Sequence, residues 1–124
     1  MRILIVDDSA TTRVALAALL KRRGHAVVAA GDGDEAWWAY EKQPAQVIIS
    51  DWAMPGLNGV ELCRRVRATP GGPQPFFIMF TWLSGKQDYA DGKAAGVDDF
   101  IPKPIDEAHL DASLRVAERV IGLR

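Results

Sequence analysis

The chain has 124 residues, 48% apolar and 25% charged, with a formal net charge of −1. That length suits one domain around one core, and the composition excludes a disordered or membrane-embedded chain. With near-neutral charge, one cysteine and no long apolar run, the chain offers no electrostatic footprint for nucleic acid, no internal disulfide, no cysteine-rich metal site and no secretory or membrane-spanning segment.

Residues 2–6, RILIV, are an apolar run rich in β-branched residues and read as a strand that stops at two adjacent carboxylates, Asp7 and Asp8. Leu16, Leu19, Leu20 and Arg23 then follow helical spacing, and Gly24 stands where a left-handed cap belongs. AVVAA at 26–30 reads as the second strand. In the helix after it Ala36, Trp37 and Tyr40 share one face and Trp38 turns away. QVIIS at 46–50 is the third strand and runs into Asp51. Leu62, Cys63 and Val66 stripe the third helix, with Cys63 a small core residue, and TPGGPQP at 69–75 forbids helix. PFFIMF at 75–80 is the fourth strand, followed by Thr81. The helix near Lys86 to Ala95 carries the weakest signal, because Gly92 inside it costs about 1 kcal/mol relative to alanine; Gly96 would cap it. DFI at 99–101 is a short fifth strand leading to Lys103 and Pro104, and Leu110, Leu114, Ala117 and Ile121 line a last helix. The basic clusters at 21–23 and 64–67 fall near helix C-termini, where cations complement the helix dipole.

Strands alternating with helices predict an α/β fold, a five-stranded parallel sheet in a three-layer α/β/α sandwich, and the near-continuous apolar strands predict that both sheet faces are covered. Ligands in such folds bind outside the carboxyl ends of the strands. Those ends carry Asp7, Asp8, Asp51, Thr81 and Lys103. A single aspartate there is most simply a helix cap, but the set is coherent chemistry. Hard oxygen ligands without histidine or cysteine suit Mg²⁺, and a cation together with Lys103 explains how Asp7 and Asp8 tolerate each other.

The segments VDDS, SDWAMPGLNG, MFTW and GVDDFIPKP together resemble the receiver domains of two-component response regulators, over the whole chain. The resemblance implies the flavodoxin-like strand order 2-1-3-4-5 and a single receiver domain over 1–124 with no output domain. It implies that Asp51 accepts a phosphoryl group from a phosphohistidine, on a sensor histidine kinase or a histidine phosphotransfer protein. Mg²⁺ would be held by the side chains of Asp8 and Asp51 and the backbone carbonyl of Ala53, with Asp7 acting directly or through water. Lys103 would pair with the phosphoryl oxygens, Thr81 would donate to one of them, and Phe100 takes the aromatic switch position. Phosphorylation would then alter the face built by the fourth helix, fifth strand and fifth helix, which an output domain or effector protein reads. The chain would be a phosphoacceptor that assists its own phosphorylation and dephosphorylation rather than a conventional enzyme. It would be cytoplasmic, without direct nucleic acid or membrane contact; a homodimer is left open.

Several residues depart from that pattern. Trp82 stands where the family has a small residue, and its ring either crowds Asp51 or lies along the surface. Ala53 and Leu83, at two variable positions, offer no polar side chain to place a water, and Phe100 lacks the hydroxyl of a tyrosine. His25 and His109 have no metal-ligand neighbours and read as solvated, while Trp37 and Trp38 read as packing, an exposed Trp38 being a candidate for docking. Among other functions, an Mg²⁺-dependent phosphohydrolase would want an aspartate where Ala53 stands, and a flavin module would not place DDSATTR at its phosphate loop. The remaining alternative is a pseudo-receiver that acts as a constitutive protein-docking module.

Overall fold

The computed structural model describes residues 1–71, 74–82 and 85–123. Leu83 lies outside the described residues, as does the Gly72–Pro73 part of the loop before the fourth strand. Among the described residues strands and helices alternate along the chain. They are β1 (Arg2–Val6), α1 (Ala10–Arg22), β2 (Ala26–Ala30), α2 (Gly33–Lys42), β3 (Val47–Ser50), α3 (Gly59–Ala68), β4 (Phe76–Thr81), α4 (Lys86–Ala95), β5 (Asp99–Pro102) and α5 (Glu107–Leu123). Pro75 has no N–H for a ladder, so β4 begins one residue later than its apolar run and ends on Thr81.

The sheet is five-stranded in the order β2-β1-β3-β4-β5, with every pairing parallel. Because successive side chains point to opposite faces, each central strand feeds two cores. Leu4, Val6, Ile48, Phe77 and Met79 pack under α2, α3 and α4 with Ala36, Leu62, Cys63 and Val66. Ile3, Ile5, Ile49, Ile78 and Phe80 pack on the other face with Leu16, Leu19 and Leu20 of α1 and Leu110, Leu114 and Ala117 of α5. The expectation that both faces of every strand are covered fails at β2, where Val28 is 52% exposed and only Ala30 is buried. The strand stands at the end of the sheet, and its composition does not distinguish an edge from a centre.

The helix boundaries have local causes. Ser9, Asp32 and Asn58 cap α1, α2 and α3 by accepting from backbone N–H groups, Asn58 in a reciprocal box with Glu61. Gly24 and Gly96 end α1 and α4 at φ of 86° and 104°, a region that disfavours residues with a Cβ. One residue of each basic cluster is tied into the structure. The Arg67 guanidinium donates to the carbonyls of Gly96 and Pro75 and meets Asp98 at 2.8 Å, while Arg23 ties α1 to Glu107 and Asp111 of α5. His25 and His109 are half-buried rather than solvated. His25 Nδ1 lies 3.0 Å from the Met1 ammonium, and burial, then that positive charge, holds its pKa below the ordinary value.

Cys63 is fully buried and its Sγ donates to the Ala95 carbonyl; burial pushes the thiol up to about 11. Thiolate is the reactive form. The folded protein should therefore resist maleimide at neutral pH and react once denatured, as intact mass would report. Labelling of the native chain at the rate of a free thiol would contradict the burial.

Gly92 answers the weak signal of α4. A Cβ there would lie 2.7 Å from two ring atoms of Phe100, so the glycine makes room for the ring despite its cost in helix propensity. Gly92→Ala should destabilise the protein by about 1–2 kcal/mol through overpacking, and Phe100→Leu in the same chain should remove most of that cost. Urea denaturation of the two single variants and the double variant tests this; a stabilising Gly92→Ala would mean that the ring yields freely.

Candidate functional site

Parallel register brings the strand ends level. Val6 pairs with Ser50 and Thr81 with Pro102, so Asp7, Asp51 and Lys103 each follow directly on a paired residue at the carboxyl edge of the sheet. Asp7 is fixed on several sides. Its N–H donates to the Ala30 carbonyl at 3.1 Å, its carbonyl accepts from the Arg13 guanidinium at 2.7 Å, and its Oδ1 accepts from the Ser9 N–H at 2.9 Å. Asp51 is held by its own N–H to Val6 and by the Trp52 N–H, which donates to Oδ1 at 2.6 Å. Gly59 opens α3 against this strand end, and a Cβ there would come within 2.3 Å of the Asp51 carbonyl oxygen.

The Lys103 ammonium joins the two carboxylates, with Nζ 2.7 Å from Asp7 Oδ2 and 2.7 Å from Asp51 Oδ2. All three side chains are buried, Asp7 to 2% exposure, whereas Asp8 beside them is exposed. Burial lowers the Lys103 pKa, but hydrogen bonds and charge from Asp51 and Asp7 outweigh it, so the ammonium titrates above the ordinary 10.5.

One oxygen each of Asp7, Asp8 and Asp51 lie within 4.8 Å of one another. Asp7 Oδ2 is buried and, apart from its ion pair with Lys103, accepts no aligned hydrogen bond among the described residues. Such an oxygen in a carboxylate set without nitrogen or sulfur ligands fits a hard divalent cation. Ala53, the residue expected to offer a backbone carbonyl, is two positions past Asp51 in an exposed loop.

The structure therefore brings together Asp7, Asp8, Asp51 and Lys103. Thr81 is buried next to them at the end of β4, and its carbonyl accepts from the Lys103 N–H at 3.1 Å. Phe100 stands apart from the carboxylates, half-buried beneath α4, with the Tyr89 ring edge-on at 4.8 Å. Trp82, directly after Thr81, is 68% exposed. The sequence reading missed Arg13, Ser9 and Tyr89. Ser9 was findable as a helix cap, but nothing local marks an arginine that holds a carbonyl or a tyrosine that meets a ring on β5.

The sequence matches the response regulator receiver domain over residues 3–115. It is 39% identical over 124 residues to a chemotaxis protein CheY homologue of Campylobacter jejuni, covering 98% of this chain and 93% of that protein. It is 37% identical over 121 residues to response regulator RppA of Synechocystis, covering 96% of this chain and 51% of that protein, so the chain spans about half of RppA. The fold superposes on chemotaxis protein CheY4 of Vibrio cholerae with a TM-score of 0.87 at 31% identity, over 94% of this chain and 97% of that one.

Replacing Lys103 by methionine leaves Asp7 and Asp51 facing each other in a buried site. Without added divalent cation, Lys103→Met should cost about 2 kcal/mol at neutral pH. A lysine pKa raised on folding contributes stability that is whole below the unfolded value of 10.5 and is lost as pH climbs through the higher folded value. The gap between wild type and Lys103→Met should therefore be constant near neutrality and shrink above pH 10.5. Urea titrations on both sides of that pH decide the point, and a gap unchanged at the alkaline end would detach the ammonium from its carboxylates.

Proposed function

The chain belongs to the response regulator receiver domain family, and on that premise we propose that it accepts a phosphoryl group on Asp51 from a phosphohistidine in a two-component relay. The observation that carries this reading is the Lys103 ammonium bridging Asp51 and Asp7, with Asp8 exposed beside them.

Phosphoryl transfer asks for positioning and charge stabilisation more than for covalent assistance. A carboxylate oxygen of Asp51 forms the new bond to phosphorus as the bond from phosphorus to the donor imidazole nitrogen breaks, and that nitrogen keeps the electron pair. Lys103 Nζ, already on Asp51 Oδ2, is within reach of the oxygens of the arriving group and meets their charge. The Trp52 N–H fixes the rotamer of the acceptor. Thr81, at the end of β4, supplies a hydroxyl to one phosphoryl oxygen. Asp8, Asp51 and the Ala53 carbonyl, with Asp7 directly or through water, would hold Mg²⁺, which when bound neutralises charge on the phosphoryl oxygens.

After transfer the acceptor carries more negative charge and new acceptor oxygens. Because the Lys103 N–H is bonded to the Thr81 carbonyl, movement of Thr81 reaches β5, where Phe100 packs against Gly92 and Tyr89 of α4. The face of α4, β5 and α5 is then the surface presented to an output domain or effector. The donor is a sensor histidine kinase or a histidine phosphotransfer protein, and residues 1–124 act as one receiver module. Among the described residues no helix is long and apolar enough to cross a membrane, which accords with a cytoplasmic relay. The alternative is a pseudo-receiver that docks partners constitutively, and the convergence of Asp7, Asp8, Asp51 and Lys103 favours the phosphoacceptor reading over it.

Asp51→Asn should fold as wild type does and gain no hydroxylamine-labile phosphate from phosphoramidate, while Asp8→Ala should weaken Mg²⁺ binding measured by Trp52 fluorescence. Labelling of Asp51→Asn at the wild-type rate, or equal Mg²⁺ binding by Asp8→Ala, would refute the assignment.

A further inference from the structure

The opposite end of the sheet holds a second feature, independent of the Asp51 site. A groove of about 300 Å³ runs between the C-terminal half of α2 and the first residues of β1 and β2. Its walls include Val28, Ala39, Ala45 and Trp38, with Val28 52% and Trp38 59% exposed. Two cations also line it. Lys42 Nζ lies 3.9 Å from the centre of the Trp38 ring, and the Arg2 side chain donates through Nε to the Pro44 carbonyl at 3.3 Å. Among the described residues no carboxylate lines the groove, and neither cation is ion-paired.

The groove runs beside a free strand edge. β2 pairs with β1 alone, and its other edge meets no strand among the described residues. Such an edge offers a row of backbone donors and acceptors to an added strand. Ala26 and Val28 pair in register with Arg2 and Leu4, and Leu4 packs in the core beneath α2. Apolar wall and positive charge therefore lie on the same side of the sheet, beside the edge.

We propose that this edge and groove bind an extended acidic segment of a partner protein, which adds as a sixth strand beside β2. Its apolar side chains would cover Val28 and the exposed Trp38 ring, and its carboxylates would pair with Lys42 and Arg2. Charge selects the occupant, since two cations without an ion pair and no lining carboxylate complement an acidic segment.

The test titrates isotope-labelled protein with a capped peptide of alternating glutamate and valine, beside its lysine counterpart and indole-3-acetate. The glutamate peptide should shift and protect the amides of residues 26–30 and move the Trp38 indole N–H, and the lysine peptide should do neither. Lys42→Glu, a surface change checked by its thermal melt, should bind the glutamate peptide about fivefold more weakly, the scale of one exposed ion pair. It should also gain affinity for the lysine peptide. The proposal is overturned if the β2 amides do not respond, if both peptides bind wild type alike, or if Lys42→Glu changes nothing. Response of the Trp38 indole to indole-3-acetate with no peptide effect at β2 would make the groove a small-carboxylate pocket instead. Self-association that shifts the same amides without peptide would make the occupant a second copy.

Discussion

Lys103 Nζ stands 2.7 Å from Asp7 Oδ2 and 2.7 Å from Asp51 Oδ2, so one ammonium ties the end of β5 to the ends of β1 and β3 across the sheet. Two buried carboxylates this close would repel each other without it. The rest of the site depends on that pairing. It leaves Asp8 exposed and the carboxylate oxygens converged within 4.8 Å, an arrangement that a hard divalent cation fits and an apolar ligand does not. The surrounding structure prepares it, since the Val6 and Ala30 carbonyls, the Ser9 N–H and the Arg13 guanidinium all hold the residues that carry the charge.

The same ammonium-bearing residue connects Asp51 to the far side of the molecule. Lys103 follows β5 directly, its N–H is bonded to the Thr81 carbonyl, and Phe100 lies three residues earlier on that strand. Phe100 is seated by Gly92 and Tyr89, both on α4. A short chain of contacts through β4 and β5 thus joins the Asp51 site to α4, and the Phe100 ring fills the space a Cβ at position 92 would need. Gly92, unfavourable for its own helix, is favourable for this packing.

The two ends of the sheet differ in kind. The carboxyl end gathers acidic oxygens around one buried cation, while the amino end carries Arg2 and Lys42 beside apolar surface that no helix covers. Arg67 and Arg23, by contrast, are committed to structure, Arg67 to the carbonyls of Pro75 and Gly96 and Arg23 to α5. That contrast separates a cation that closes a loop from one left at the rim of a groove, although all of them look alike in the sequence.

Local pattern by itself determined the alternation of strands and helices, the caps at Gly24 and Gly96, the buried stripe of Leu62, Cys63 and Val66, and the outward turn of Trp38. Each depends on residues within a few positions of one another. The gathering of Asp7, Asp8, Asp51 and Lys103 was also legible, because a parallel sheet places all strand ends on one edge. Relations between distant segments were decided only by tertiary structure. The sequence does not show that β2 is an uncovered edge, that Asp7 rather than Asp8 is buried against Lys103, or that His25 is half-buried. Nor does it show that Trp82 points to solvent or that Gly92 exists for the Phe100 ring. Burial and pairing depend on what arrives from elsewhere in the chain, and hydrophobic periodicity records only the face a segment hides, not the partner it hides against.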